Sequence, residues 1–248
     1  MTAFVIKRLG FAVITLFGVL TIVFFIVRVL PGDPALVILG DQASQASIES
    51  LRERLGLNAP IYVQYLKFLG GVVVGDWGTS LVSGRPVIQE IMTRLPITIE
   101  LAFYSILITI VLGMTAGIIS AVRPYSATDI SVMIVALLGI SLPSFFLGLL
   151  SIYLFSVKLQ LLPVAGWDSM LHIILPAFTL GVGGAAIVAR MTRSSMLEVV
   201  RQDYIRTAQA KGLKGFAIIY KHALRNALIP VITVVGLQFG ALLGGTVL

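Results

Sequence analysis

Long apolar runs, more than any other feature, limit what this chain can fold into. They extend from Leu9 to about Leu30, from Thr98 to Val122, from Ile130 to Val157, from Met170 to Ala189 and from Leu228 to Leu248. A helix of about 20 apolar residues crosses the hydrocarbon core of a bilayer, and a helix satisfies its own backbone hydrogen bonds there. The sequence therefore predicts an all-α integral membrane protein, a polytopic helical bundle with five spans.

Composition supports this prediction. Hydrophobic residues make up 58% of the 248 residues, charged residues make up 12%, and the mean hydropathy is +1.02. A soluble domain carries about 25% charged residues. The chain has no cysteine, which excludes a disulfide framework and a thiolate metal site.

The net charge of +7 is distributed unevenly. Lys7 and Arg8 precede the first span, and the loop from Lys158 to Asp168 holds a single lysine. Eight basic residues fall between the fourth and fifth spans: Arg190, Arg193, Arg201, Arg206, Lys211, Lys214, Lys221 and Arg225. Short loops rich in Lys and Arg stay in the cytoplasm, so we expect the N-terminus to be cytoplasmic. Topology accounts for the basic surplus, to which anionic lipid or an acidic partner can contribute, and nucleic-acid binding is not expected.

Three regions follow from this pattern: residues 1–30 as an N-terminal span, 31–96 as an extracytoplasmic cap, and 97–248 as a core transmembrane domain with a cytoplasmic loop at 190–228. In the cap, Ile48, Leu51 and Leu55 recur at helical spacing, which predicts an amphipathic helix over 44–55. Further helices are predicted over 62–73 and 87–95. Pro143 lies inside the third span and allows a bend there.

The polar stretch from Glu198 to Pro230 contains a short helix whose two ends are marked. Asp203 can cap its N-terminus, and Gly212 can end it in a left-handed conformation. Tyr204 and Ala208 share a face at i, i+4, with Thr207 beside them. Because these residues include small side chains, we expect another surface to approach the helix closely. A helix of two turns is marginal alone and needs a partner.

This stretch resembles the EAA loop of ABC-importer permeases. Arg206-Thr207-Ala208 stands at the Glu-Ala-Ala position, Gly212 is in register, and His222, Leu224 and Arg225 stand where the family has Ile, Leu and Pro. The Ala, Gly and Leu match, whereas the Glu and the Pro do not. DYIRTAQAKG followed by HALRNALIPVIT is similar to the peptide branch of the family. The first permease subunit of dipeptide, oligopeptide, glutathione and nickel importers is similar over a longer stretch. The resemblance lies in the order of the segments PGDPA, LGLNAPIYVQY, GDWGTS, SGRPVIQEIMTRLP and TIELA.

The resemblance implies a type I importer permease with the MetI-like fold in the bacterial plasma (inner) membrane. It also implies further C-terminal span(s), because the family continues beyond a fifth span. The implied partners are a second homologous permease, two cytoplasmic ATPase subunits that bind ATP and Mg, and an extracytoplasmic solute-binding protein. The implied ATPase-coupling residues are Asp203, Tyr204, Arg206, Thr207, Ala208, Lys211 and Gly212. No cofactor, metal site or enzymatic activity is expected of this chain itself.

Polar groups that could line a translocation path are neutral. Ser141, Ser144 and Gln238 are the candidates, and a hydrogen bond between helices is an equally good interpretation of Gln238. Proton-driven carriers usually place titratable groups in mid-span, but Glu100 and Arg28 lie near span ends. One alternative is a different class of protein, a secondary transporter or channel. Another is the same importer with a different solute: nickel, glutathione or an opine-like compound. A membrane-embedded enzyme lacks a catalytic constellation, and no P-loop motif is present.

Glycine patterns predict close helix packing. The run Gly181–Ala186 fits G-x-G-x-x-A, but a dinucleotide site requires a strand before it, and here the run lies within a span. Gly113 and Gly117, and the series Gly236, Gly240 and Gly244, repeat every four residues as in helix contacts within lipid. Contacts within the subunit and contacts with a second permease are both open for these series.

Overall fold

A computed structural model describes residues 2–29, 34–40, 43–80 and 83–245. These residues form helices, with one isolated bridge between Thr79 and Pro86. The chain divides into two compact units, Met1–Thr93 and Arg94–Leu248. Most of the predicted turn over 31–34 lies outside the described residues.

The helices are α1 (Thr2–Val29), α2 (Pro34–Leu39), α3 (Gln45–Arg54), α4 (Ile61–Val74), α5 (Val87–Val122), α6 (Ala127–Ser141), α7 (Ser144–Lys158), α8 (Met170–Val200), α9 (Asp203–Ala210) and α10 (Gly215–Leu243). Part of α7, Ile152–Lys158, and part of α10, Ile218–Ala223, are π-helical. Within the described residues, α1, α5, α8 and α10 are each long and apolar enough to cross a membrane, and α6 with α7 makes a fifth span if the pair is one.

The first unit is organised by aromatic packing between α1 and α4. Phe24 is 4% exposed, and its ring centroid lies 5.2 Å from that of Tyr65 and 5.5 Å from that of Phe68. The hydroxyls of Thr21 and Tyr65 are 2.7 Å apart, and Arg28 donates to Gln64 at 2.5 Å. Offset and tilted ring pairs contribute beyond their buried area, so these contacts fix α4 along one end of α1.

The cap helix predicted over 44–55 is confirmed as α3. Ser44 caps it by accepting a hydrogen bond from the Ser47 amide at 3.2 Å, which satisfies one of the free donors of a helix N-terminus. Ile48 on its apolar face is 4% exposed. The helix predicted over 62–73 is confirmed as α4, which ends at Gly75 in the left-handed conformation.

The second unit is built around α8, which packs on α5 through small residues. A Cβ at Gly113 would meet the Ala185 carbonyl oxygen at 2.7 Å, and a Cβ at Gly117 would meet the Ala189 carbonyl oxygen at 2.6 Å. A Cβ at Gly181 would likewise meet the Ser105 carbonyl oxygen at 2.9 Å. Such close backbone approach is how helices associate where lipid removes the hydrophobic driving force. The packing interpretation of these glycines is confirmed, and the contacts are within one chain.

The third predicted span is two helices rather than one. Between α6 and α7 the chain bends by 99°. Pro143 has φ −56° and no amide hydrogen, and Leu142 before it takes an extended conformation with ψ 127°. A proline disfavours helical conformation in the preceding residue, so α6 ends there. The bend was predicted from Pro143, but its size was not.

Three helices continue beyond the bounds predicted from the apolar runs. Helix α8 extends eleven residues past Ala189 to Val200, and α10 begins at Gly215 rather than near Leu228. The predicted short helix over 87–95 is the first part of α5, which continues through Pro96. Hydropathy detects only the lipid-facing length of a helix, whereas charged residues such as Arg190 and Arg193 are good helix formers beyond it.

The close packing of α5 on α8 can be tested by adding one methyl group. We expect Gly117→Ala to lower the free energy of unfolding in detergent by about 1–3 kcal/mol, because overpacking separates the two helices. Gly183→Ala on α8 is the matched control: its Cβ would meet nothing within 4 Å. The measurement is thermal unfolding of both variants, and equal stability of the two would contradict this packing.

Candidate functional site

Helix α9 is the short helix that the sequence predicts, with one end corrected. It starts at Asp203, and its N-cap is Gln202, which makes no capping hydrogen bond. The prediction that Asp203 caps it is therefore wrong: the Asp203 side chain is 97% exposed, 3.9 Å from Arg206. A carboxylate in the first turn still interacts favourably with the helix dipole.

The C-terminus of α9 is confirmed at Gly212. Gly212 has φ +76°, its amide donates to the Gln209 carbonyl at 2.9 Å, and the Leu213 amide donates to the Ala208 carbonyl at 3.3 Å. These two bonds form a Schellman motif, which satisfies carbonyl groups that a helix end leaves free. The motif requires a left-handed residue, which explains the glycine.

One face of α9 packs inside the chain. Ile205 is 0% exposed and Ala208 is 7% exposed. They belong to a cluster, here named the α9 cluster, whose other buried members come from α5, α8 and α10: Ala121, Met196, Ile218, Ala223 and Ala227. The expectation that Ala208 presents a small surface to another molecule is wrong, because Ile205 at i−3 places that side of the helix against the chain itself.

Tyr204 is also held by the chain. The Asn226 side-chain amide donates to the Tyr204 hydroxyl at 2.7 Å, which joins α9 to α10. Tyr204 remains 40% exposed. The other predicted residues that stay exposed are Asp203, Arg206, Thr207, Lys211 and Gly212. They form the free face of α9, and it is polar.

The three candidates for a translocation path lie in different places. Ser141 and Ser144 are exposed on either side of the bend at Pro143. Gln238 on α10 instead donates to the Gly184 carbonyl of α8 at 3.4 Å, and its Oε1 also lies against Gly184. The structure therefore shows the hydrogen bond between helices that was the alternative interpretation of Gln238.

Sequence reasoning missed an ion pair beside the α9 cluster, between a buried aspartate and a partly exposed arginine. Asp129 is 2% exposed. Arg193 donates to it through Nε at 2.7 Å and through Nη2 at 2.6 Å. The Tyr125 amide donates to Oδ2 at 2.8 Å, and the Ser120 hydroxyl donates to Oδ1. The carboxylate thus joins α5, α6 and α8.

One local signal for this pair was present. Ser126 is the N-cap of α6 and accepts from the Asp129 amide at 3.2 Å. A serine followed three residues later by an acidic residue is the pattern of a capping box, so Asp129 could have been placed in a first helical turn. Its partner could not, because Arg193 is 64 residues away and is one of eight basic residues in its region.

The inward position of Ala208 can be tested against its exposed neighbour. We expect Ala208→Glu to cost on the order of 3 kcal/mol, because the α9 cluster would bury an unpaired carboxylate. Thr207→Glu adds the same charge on the free face, so the change should stay within about 0.5 kcal/mol. Equal melting temperatures for the two purified variants would contradict the orientation of α9.

Comparison with known proteins agrees with this architecture. Residues 113–248 match the family described as "Binding-protein-dependent transport system inner membrane component", and residues 1–102 match its N-terminal counterpart. The family has the MetI-like fold, so the predicted fold class is confirmed.

Similar proteins align with the whole chain. A dipeptide transport system permease protein of Alkalihalophilus pseudofirmus is 44% identical, with 100% of this chain and 83% of the relative covered. A glutathione transport system permease protein of Escherichia coli strain K12 is 48% identical, with 100% and 81% covered, and that of Shigella dysenteriae serotype 1 gives the same values. The chain therefore belongs to the family of inner-membrane components of binding-protein-dependent transport systems, and it is the permease of an ABC importer.

Proposed function

We propose that the chain forms half of a translocation pathway for dipeptides and oligopeptides. The observation that carries this proposal is the similarity, over the whole chain, to permeases named for dipeptide and for glutathione transport. Glutathione is itself a tripeptide, so both names describe short chains with a free ammonium group and free carboxylates. Nickel and opine-like solutes are the alternatives within the same machine.

The proposal includes the partners that the family uses. A second permease completes the pathway, two ATPases bind ATP and Mg, and a solute-binding protein delivers the peptide. The basic end of α8 and helix α9 then lie in the cytoplasm, with the N-terminus on the same side. The concentration of Lys and Arg between Arg190 and Arg225 supports this orientation.

In this arrangement the free face of α9 contacts an ATPase. Asp203, Arg206, Thr207, Lys211 and Gly212 are accessible for that contact, and Tyr204 lies at its edge. Ile205 and Ala208 act from within, because they hold α9 on α5, α8 and α10. A displacement of α9 by closure of the ATPases would therefore act on the membrane helices through the α9 cluster.

Uptake measurements test the solute and the energy source together. In cells that lack this permease, we expect uptake of a labelled dipeptide to be lost and to be restored by the full-length protein. Arsenate, which depletes ATP, should abolish this uptake, whereas a protonophore should not while ATP is maintained. Unlabelled tripeptide should compete with the label, and Ni²⁺ should not. Nickel uptake in place of peptide uptake, or peptide uptake that continues without ATP, would contradict the proposal.

The end of α9 gives a second prediction. Gly212→Val should reduce ATP-dependent uptake, because a β-branched residue at φ +76° costs about 1–2 kcal/mol and misplaces the free face. A Cβ there would meet no atom within 4 Å, so the effect comes from the backbone alone. Gly212→Asn is the control, since asparagine tolerates the left-handed conformation. If uptake with valine equals uptake with glycine, Gly212 does not set this geometry.

A further inference from the structure

Asp129 is held by donors from three separate segments. Ser120 near the end of α5, the Tyr125 amide in the turn and Arg193 on α8 all donate to its two oxygens. Ser120 is 0% exposed, and the guanidinium of Arg193 also lies 5.9 Å from the ring centroid of Tyr125. Four donors nearly saturate the acceptor capacity of a carboxylate, so its position is fixed relative to all three segments.

Stability alone is a weak reason for such a pair. Burial of the Asp129 carboxylate costs a desolvation penalty, while the Arg193 side chain stays 24% exposed. Replacing a buried pair with apolar residues is often neutral or stabilising. What a bidentate arginine–carboxylate contact adds is a fixed geometry. An apolar contact between two helices can slide along either axis, whereas this contact holds a single register between α6 and α8.

The location of the pair connects it to α9. Ser120 is adjacent to Ala121, and Arg193 lies three residues before Met196, which is 1% exposed. Ala121 and Met196 are both members of the α9 cluster, together with Ile205. The same turns of α5 and α8 therefore contact α9 and hold Asp129.

Asp129 lies in the first turn of α6, the helix that leads to the 99° bend. Near its other end, α6 meets α8 where a Cβ on Gly139 would lie 3.0 Å from the Val182 side chain. The ion pair thus holds α6 against α8 through polar contacts, at the end of α6 nearest to α9.

We propose that Asp129 and Arg193 are positioning residues for transport, which transmit displacement of α9 and the basic end of α8 to α6. The inference rests on the proposed contact between α9 and an ATPase. With the pair intact, α6 follows α8 in fixed register during each ATP cycle. Without it, α8 moves while α6 lags, and ATP is hydrolysed with less solute moved.

The test is the number of solute molecules imported per ATP hydrolysed by the complete complex in proteoliposomes. For Arg193→Met we expect the ATPase subunits to co-purify in the wild-type ratio and ATP hydrolysis to continue. Solute imported per ATP should fall about fivefold or more, where fivefold is the lower end of the factor by which two coupled sites change each other's binding affinity. Arg193→Lys keeps the charge but loses the bidentate geometry, so its ratio should fall less. Arg190→Met, at an exposed position on α8, is the matched control and should leave the ratio unchanged.

A purely structural role is distinguished by the double variant Asp129→Asn/Arg193→Met. It leaves no unpaired buried charge, so its melting temperature should recover relative to either single variant, while the transport ratio stays low. Recovery of both quantities would overturn the inference, because the charges would then serve only to neutralise each other. An unchanged ratio in Arg193→Met would overturn it as well.

Failure of the proposed function would look different. The ratio is measured with whichever solute the wild-type complex imports, so a wrong peptide assignment appears as absence of peptide uptake by the wild type. A wrong contact between α9 and the ATPase appears as unchanged ATPase co-purification when Arg206 or Lys211 on the free face is replaced by glutamate. The inference about Asp129 and Arg193 has its own readout, the transport ratios of their variants, which can contradict it even when peptide uptake and the α9 contact hold.

Discussion

The second unit depends on how closely the backbones of α5 and α8 approach each other. Neither Gly113 nor Gly117 could carry a Cβ without meeting a carbonyl oxygen of α8 within 3 Å. In lipid, where apolar side chains gain little from burying each other, such contacts supply the association energy through packing. Because α8 also packs on α6, α7 and α10, the register set by these glycines fixes where the other helices meet it. The α9 cluster and the ion pair both lie at the basic end of this α5–α8 contact.

Sequence patterns predicted the elements whose causes are local. Helix α3 follows from its cap and apolar spacing, the end of α9 follows from Gly212, and the break near Pro143 follows from a missing amide hydrogen. The extents of α8 and α10 were underestimated, because a helix that leaves the membrane continues on charged residues and hydropathy does not follow it. Helix propensity and hydropathy are separate signals, and the predicted ends of α8 and α10 rest on hydropathy alone.

The orientation of α9 and the ion pair could not be derived in the same way. The small residue Ala208 can serve either an external contact or internal packing, and only the positions of Met196 and Ala223 decide between them. Asp129 meets Arg193 across 64 residues, and the sequence around either residue does not identify its partner. Long-range pairing of this kind is a property of the folded helices. The family resemblance placed α9 in the chain but did not show which of its sides is free.

The right angle between α6 and α7 gives this part of the protein an unusual kinematic property. A straight span that rotates about its own axis leaves its ends in place. Here, a rotation of α6 by about 10° would carry the far end of α7 sideways by up to about 4 Å, since the 15 residues of α7 extend at most about 22 Å at the 1.5 Å per residue of an α-helix. A small torsion at the first turn of α6 would therefore appear as a large lateral movement of Lys158, with no change in the length or tilt of α6.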